Sequence, residues 1–180
     1  MKSINHFLIS ASLLLFLFSF SSCQKEDLNI LPAESQSGKN TFGCYVDDQL
    51  FVRPYPNLSW VSAFYDRETK SVTINSTSKE LGTIYIYLTE LQINKKNNVN
   101  QAGYTYHSKP VALSNGHTQY YLYTYSNTDI QSVYLTKFDT INKIISGTFD
   151  LKLKSEDDST KAVKLTQGRF DLNLMFTTYP

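Results

Sequence analysis

Cysteine and histidine are scarce in this chain, two and three among 180 residues, and their scarcity excludes several kinds of chemistry. One cysteine, Cys23, closes an N-terminal apolar run. Cys44 is then the lone thiol of the remaining chain, with no partner for an internal disulfide. Beyond the apolar run only His107 and His117 remain, beside turn-forming residues. No Gly-x-Ser-x-Gly elbow accompanies them and no carboxylates stand at ligand spacing, so no nucleophilic hydrolase, metal centre or cofactor is expected. Lys and Arg form no block either: past residue 22, 16 basic side chains face 16 acidic ones. A neutral chain cannot draw on counterion release from phosphates, which excludes nucleic acid as a partner.

Carboxylates are present but point nowhere in particular. Glu156-Asp157-Asp158 lacks the alternating ligands and the glycine of a calcium-wrapping loop and reads as a hairpin tip. Asp47, Asp66, Glu90 and Asp150 could pair for glycoside cleavage, as carboxylates in any β-domain of this size could.

Alanine is rare and no stretch has helical periodicity, whereas Tyr and Phe are abundant, 13 and 11 against one Trp. Such side chains pack well on a pleated surface. From Thr41 onward the pattern has period two: Thr41–Val46 and Gln49–Arg53 flank a turn at Asp47-Asp48, and Ser59–Tyr65 and Ser71–Ser76 flank Asp66–Lys70. Trp60/Ser62/Phe64 and Val72/Ile74 are the expected core faces of that second hairpin. Ile84, Ile86 and Leu88 alternate with Tyr85 and Tyr87. Leu91–Gln101, rich in Asn and Lys, is the longest expected loop. Phe149/Leu151/Leu153 and Phe170/Leu172/Leu174/Phe176 mark two half-buried strands, with Ala162–Thr166 between them. About ten short strands argue for an all-β, antiparallel sandwich or barrel in one domain, residues 41–180.

The N-terminus reads as an address. Lys2 precedes an apolar run from Phe7 to Phe20 that is short for a membrane span. Phe20-Ser21-Ser22-Cys23 resembles the bacterial lipobox, with Phe20 in place of the usual Leu. The expectation is a signal peptide over residues 1–22 and a lipid on Cys23 that binds the chain to a membrane. Lys25, Glu26 and Asp27 resemble the surface-export signal of Bacteroidota lipoproteins, which implies an outer-membrane protein facing the exterior. Residues 23–40 read as a disordered polar tether, able to span roughly 50 Å when extended.

Thr41–Asp48, Thr136–Asp139, Ile145–Phe149 and Gly168–Asp171 together resemble small Bacteroidota lipoproteins of uncharacterised function. The resemblance implies a β-domain and brings no catalytic residues. Asp139-Thr140-Ile141 and Asp158-Ser159-Thr160 resemble the O-glycosylation acceptor pattern of that phylum, at Thr140 and Ser159.

Tyr85, Tyr87, Tyr104, Tyr106, Tyr121, Tyr123 and Tyr125 fall in neighbouring segments. On an open sheet face they would form a platform for sugar rings or a protein partner; otherwise they are core. Three functions are open: a surface binding or adhesion module for glycan or protein, an accessory envelope lipoprotein with no small-molecule site, or a glycan-degrading enzyme. Cys44 shares a face with Phe42 and Val46 and reads as a small buried hydrophobe. Metabolic labelling with palmitate should mark the wild-type protein and leave Cys23→Ala unlabelled; equal labelling of the two would refute lipidation at Cys23.

Overall fold

Alternation of branched or aromatic residues with polar ones gives strands wherever the expected turns let the chain reverse. The computed structural model describes residues 30–52, 59–78, 81–107, 120–124 and 131–177. They form β1 (Thr41–Val46), β2 (Gln49–Val52), β3 (Ser59–Asp66), β4 (Ser71–Ser78), β5 (Gly82–Leu88), β6 (Lys96–His107), β7 (Tyr120–Thr124), β8 (Ser132–Asp139), β9 (Ile144–Ser155) and β10 (Ala162–Phe176). No helix occurs among the described residues.

Aspartates build the tight turns. At the β1–β2 turn Asp47 adopts φ +50°, a left-handed backbone that Asp tolerates. The β3–β4 and β8–β9 turns share one construction. Asp66 Oδ1 accepts from the amides of Glu68 and Thr69, and Asp139 Oδ1 from those of Ile141 and Asn142. A left-handed lysine, Lys70 or Lys143, then leads into the next strand. These hydrogen bonds favour the ionised form and hold both carboxyls below their ordinary pKa.

All ten strands belong to one sheet, and it is mixed rather than purely antiparallel: β10 pairs in parallel with β3, Leu174–Phe176 against Ala63–Tyr65. The ladders run round a closed circuit. β10 leads through β3, β4 and β5 to β6, and β9 returns to β10. Between β6 and β9, β7 and β8 lie end to end, each pairing with both neighbours. At the seam between them, the buried Gln131 takes the place of strand. Its side-chain amide donates to Lys152 O (2.8 Å) and accepts from Lys152 N (2.7 Å), while its backbone carbonyl accepts from Val99 N. The β1–β2 hairpin pairs with β10 on the same edge as β3.

Inside the circuit sit Val72, Ile74, Ile84, Ile86, Leu88, Leu135, Leu153, Leu165 and Leu172, all fully buried, with Phe42, Phe149 and Phe170 packed ring against ring. Cys44 is fully buried among them, and its burial pushes the thiol pKa up, as expected of a small core residue. Three expectations need correcting. On β3 the inward residues are Val61, Ala63 and Tyr65, whereas Trp60 is 56% exposed, Phe64 is half-buried and Ser62, though buried, lies on the outer side; register with Val72 and Ile74 sets the face, and aromatic character does not. Leu91–Gln101 is a loop only to Lys95, because β6 begins at Lys96 and pairs with β8. Ala162–Thr166, expected between the two C-terminal strands, is the first part of β10, which bends at a bulge where Gln167 has φ +53°.

The tether also ends earlier than its composition implies. Residues 30–40 lie along β10 because Asp171, buried to 1% exposure, gathers them. Its carboxylate accepts from Ser35 Oγ (2.5 Å), Ser37 N (3.0 Å), Gly38 N (2.8 Å), Lys39 N (3.2 Å) and, from β9, Ser146 Oγ (2.7 Å). Asn173 Nδ2 donates to Gly38 O, Arg169 to Pro32 O, and Lys137 Nζ to Gln36 O. Polar contacts fix this strap where apolar burial could not. Burial alone would raise the Asp171 pKa, but the hydrogen bonds outweigh it and bring the carboxyl to about 2.

A folded pKa below the unfolded one stabilises the protein above the unfolded value and loses that contribution as pH falls through the folded one. For Asp171 the loss falls between about pH 4 and pH 2 and is on the order of 2 kcal/mol. Urea midpoints should therefore drop across that window in the wild type and drop less in Asp171→Asn. Equal acid slopes in the two proteins would contradict this role.

Candidate functional site

The sequence platform of seven tyrosines divides when the chain folds. Tyr104, 6% exposed, faces inward beside Tyr123, ring centroids 6.3 Å apart, and donates its hydroxyl to Leu81 O (2.8 Å). Both belong to the core, because β6 and β7 pair Tyr104 with Tyr123 on the inner face. Tyr125 and the side chains of Tyr106 and Tyr121 lie outside the described residues, as do Cys23, Lys25, Glu26, Asp27 and His117. Tyr85 and Tyr87 point outward and are half-buried.

Their neighbours are set by register. Three rows cross the outer face of β3–β6: Phe64, Thr73, Tyr87, Gln101; Ser62, Asn75, Tyr85, Gly103; and Trp60, Thr77, Thr83, Thr105. The hydroxyls of Thr77 and Thr83 lie 3.1 Å apart, which confirms that this row shares a face. Met175, 41% exposed, continues the first row through its pairing with Phe64. No position in these rows carries a charge. Charged side chains stand at the ends of these strands, at Asp66 and Lys96, and on the far wall, at Asp150 and Lys152 of β9, Lys164 and Arg169 of β10, and Lys137 and Asp139 of β8.

The sequence singled out Tyr85 and Tyr87 but missed Trp60 and Phe64, whose apolar character suggested core. Only the register shows that four aromatics share one surface with amides and hydroxyls. Gly103 shapes it directly: a Cβ there would overlap the Tyr85 ring, so the ring packs close over bare backbone. Burial and the nearby negative charge of Glu156 raise the Tyr85 pKa.

Where β5 ends, a polar cleft of about 210 Å³ opens between residues 89–92 and 96–100. A bulge between Tyr87 and Leu88 on β5 and their β6 partners leaves Asn100 and Gln101 both exposed. Asn100 Oδ1 accepts from Thr89 N (2.8 Å) and Thr89 Oγ1 (3.0 Å). The buried Asn97 fixes the loop from within, accepting from Gln92 N (2.6 Å) and donating to Gln92 O, Lys95 O and Val133 O.

The remaining candidates fall elsewhere. Asp47 Oδ1 accepts from Lys164 N, Asp150 Oδ1 from Gln167 N, and Asp66 caps its own turn, while Glu90 lines the cleft. No group of three or more His, Cys, Asp or Glu gathers at metal-binding distance among the described residues. Thr140 and Ser159 are both exposed on turns, after β8 and after β9. Compared with family models, curated proteins and solved structures, the chain matches none.

Gly103→Ala should cost little stability, since the displaced atoms belong to a side chain that can swing outward. Tyr85 would then titrate closer to an ordinary tyrosine. Absorbance titration against Gly103→Ala/Tyr85→Phe measures the shift; an unchanged Tyr85 pKa would mean the ring does not rest on Gly103.

Proposed function

We propose that this chain is a lipid-anchored envelope protein whose β-domain binds uncharged glycan on the outer face of β3–β6. One observation carries the reading: the face joins Trp60, Phe64, Tyr85 and Tyr87 to the amides of Asn75 and Gln101 and to a set of threonine hydroxyls, without a charge, in a chain that is 18% charged. Aromatic faces take the apolar C–H faces of sugar rings, and amides and hydroxyls exchange hydrogen bonds with sugar hydroxyls. Protein interfaces also bring aromatics together and deplete charge at their cores; the amides and threonine hydroxyls interleaved with the rings here are what favour a sugar's hydroxyl groups.

The strap supports presentation of this face outward. It holds residues 30–40 on the wall of β8–β10, across the circuit from β5. With lipid on Cys23, at most about 25 Å of chain separates the membrane from the strap, and the aromatic wall faces away from it. Outer-membrane location, export through Lys25, Glu26 and Asp27, and kinship with Bacteroidota lipoproteins are parts of the same proposal.

Trp60 is the only tryptophan and lies on the proposed surface, so its fluorescence reports binding without a label. Titration with maltohexaose, cellohexaose and laminarihexaose should produce a saturable blue shift with at least one of them. Tyr87→Ala should weaken that response about tenfold, the loss of roughly one stacking contact. Unchanged emission with every neutral oligosaccharide would overturn the reading.

A further inference from the structure

We propose that the cleft beyond Tyr87 is the terminal subsite of this surface, holding the end ring of an uncharged glycan whose next rings lie on Tyr87 and Tyr85. The inference rests on the glycan reading above and deepens it, because it fixes the direction of the chain and the part of it that is recognised.

Three observations meet at the cleft. Tyr85, Tyr87 and Thr89 follow one another along β5 and its end at every second residue, and such positions recur on one face about 6.7 Å apart. That step is comparable with one sugar unit, so a chain laid over the two tyrosines runs into the cleft. The cleft walls change in kind where the tyrosines stop: Thr89, Glu90, Gln92, Lys96, Asn98 and Asn100 line it. A ring there can be held edge-on by amides, a carboxylate and an ammonium, all suited to hydroxyl groups. Its volume, about 210 Å³, lies below the roughly 300 Å³ of sites for drug-sized ligands. It suits one ring rather than a passing chain.

The cleft is also preformed. Glu90 and Asn94 hold left-handed backbones, φ +52° and +58°, a conformation uncommon for residues other than glycine. Asn97 anchors the loop through four hydrogen bonds, and Asn94 N donates to Leu135 O (2.8 Å). A loop fixed before binding adds little ordering cost when a ligand arrives. Among the described residues, the side chains of Asn98 and Gln92 find no hydrogen-bond partner, which leaves their amides available to a ligand.

Calorimetry with the three hexaoses and their parent polymers tests the assignment. Asn98→Ala and Gln92→Ala remove no side-chain hydrogen bond and should each weaken hexaose binding about tenfold while Tyr85 and Tyr87 stay in place. A soluble polymer should bind one protein per chain end. If Tyr87→Ala weakens binding but the cleft variants do not, the terminal subsite is overturned and the aromatic surface stands. Several proteins bound along each polymer chain would likewise overturn it. If no hexaose binds the wild type, the glycan reading falls and the subsite with it.

Discussion

Closing a sheet on itself asks the strands that meet at each seam to pair their backbone donors and acceptors. In this protein β10 meets that demand on both sides. Over its length it pairs with β9 on one edge, and with β1 and then β3 on the other. The parallel β10–β3 contact is short, yet it joins the two ends of the meander. On the opposite wall, β7 and β8 are each too short to fill the space between β6 and β9, and Gln131 supplies the missing amide between them. Interior and exterior then become fixed for each residue, and the surface depends on that sorting.

Asp171 adds a second constraint, from outside the circuit. A carboxylate buried without a cation is costly unless hydrogen bonds surround it, and its partners here come largely from a segment with no strand of its own. The strap is held because Asp171 needs its amides and hydroxyls, and Asp171 is tolerable because the strap covers it. The wall of β8–β10 is thus committed to holding the N-terminal segment, while that of β3–β6 keeps an uncharged outer face.

How far the sequence reveals this depends on which physical signal governs each segment. Hairpins bounded by Asp turns and clean alternation were legible: β1 to β4 begin and end within two residues of expectation, and Cys44 is buried where its alternation places it. Trp60 and Phe64 misled because burial on β3 is decided by pairing with β4, which sets Val61, Ala63 and Tyr65 inward. Lys96–Asn100 misled because Asn and Lys disfavour strand locally, while pairing with β8 imposes one. The order in residues 30–40 was hidden because its cause, Asp171, lies over 130 residues away. Of the candidate surface, Tyr85 and Tyr87 could be named from sequence. Their separation from Tyr104 and Tyr123 could not, because it depends on which face of β6 and β7 turns inward.

The proposed function depends on where charge is absent as much as on where aromatics are present. Past residue 22 the chain balances its acidic and basic groups, and none of them falls in the three rows of β3–β6 that carry the aromatics. The most direct measurement is backbone hydrogen exchange by mass spectrometry, with and without each neutral hexaose. The expected result is slowed exchange in peptides spanning residues 82–105, strongest around the cleft, with β9 and β10 unchanged. Protection confined to β8–β10, or none with any of the sugars, would contradict the assignment of this face.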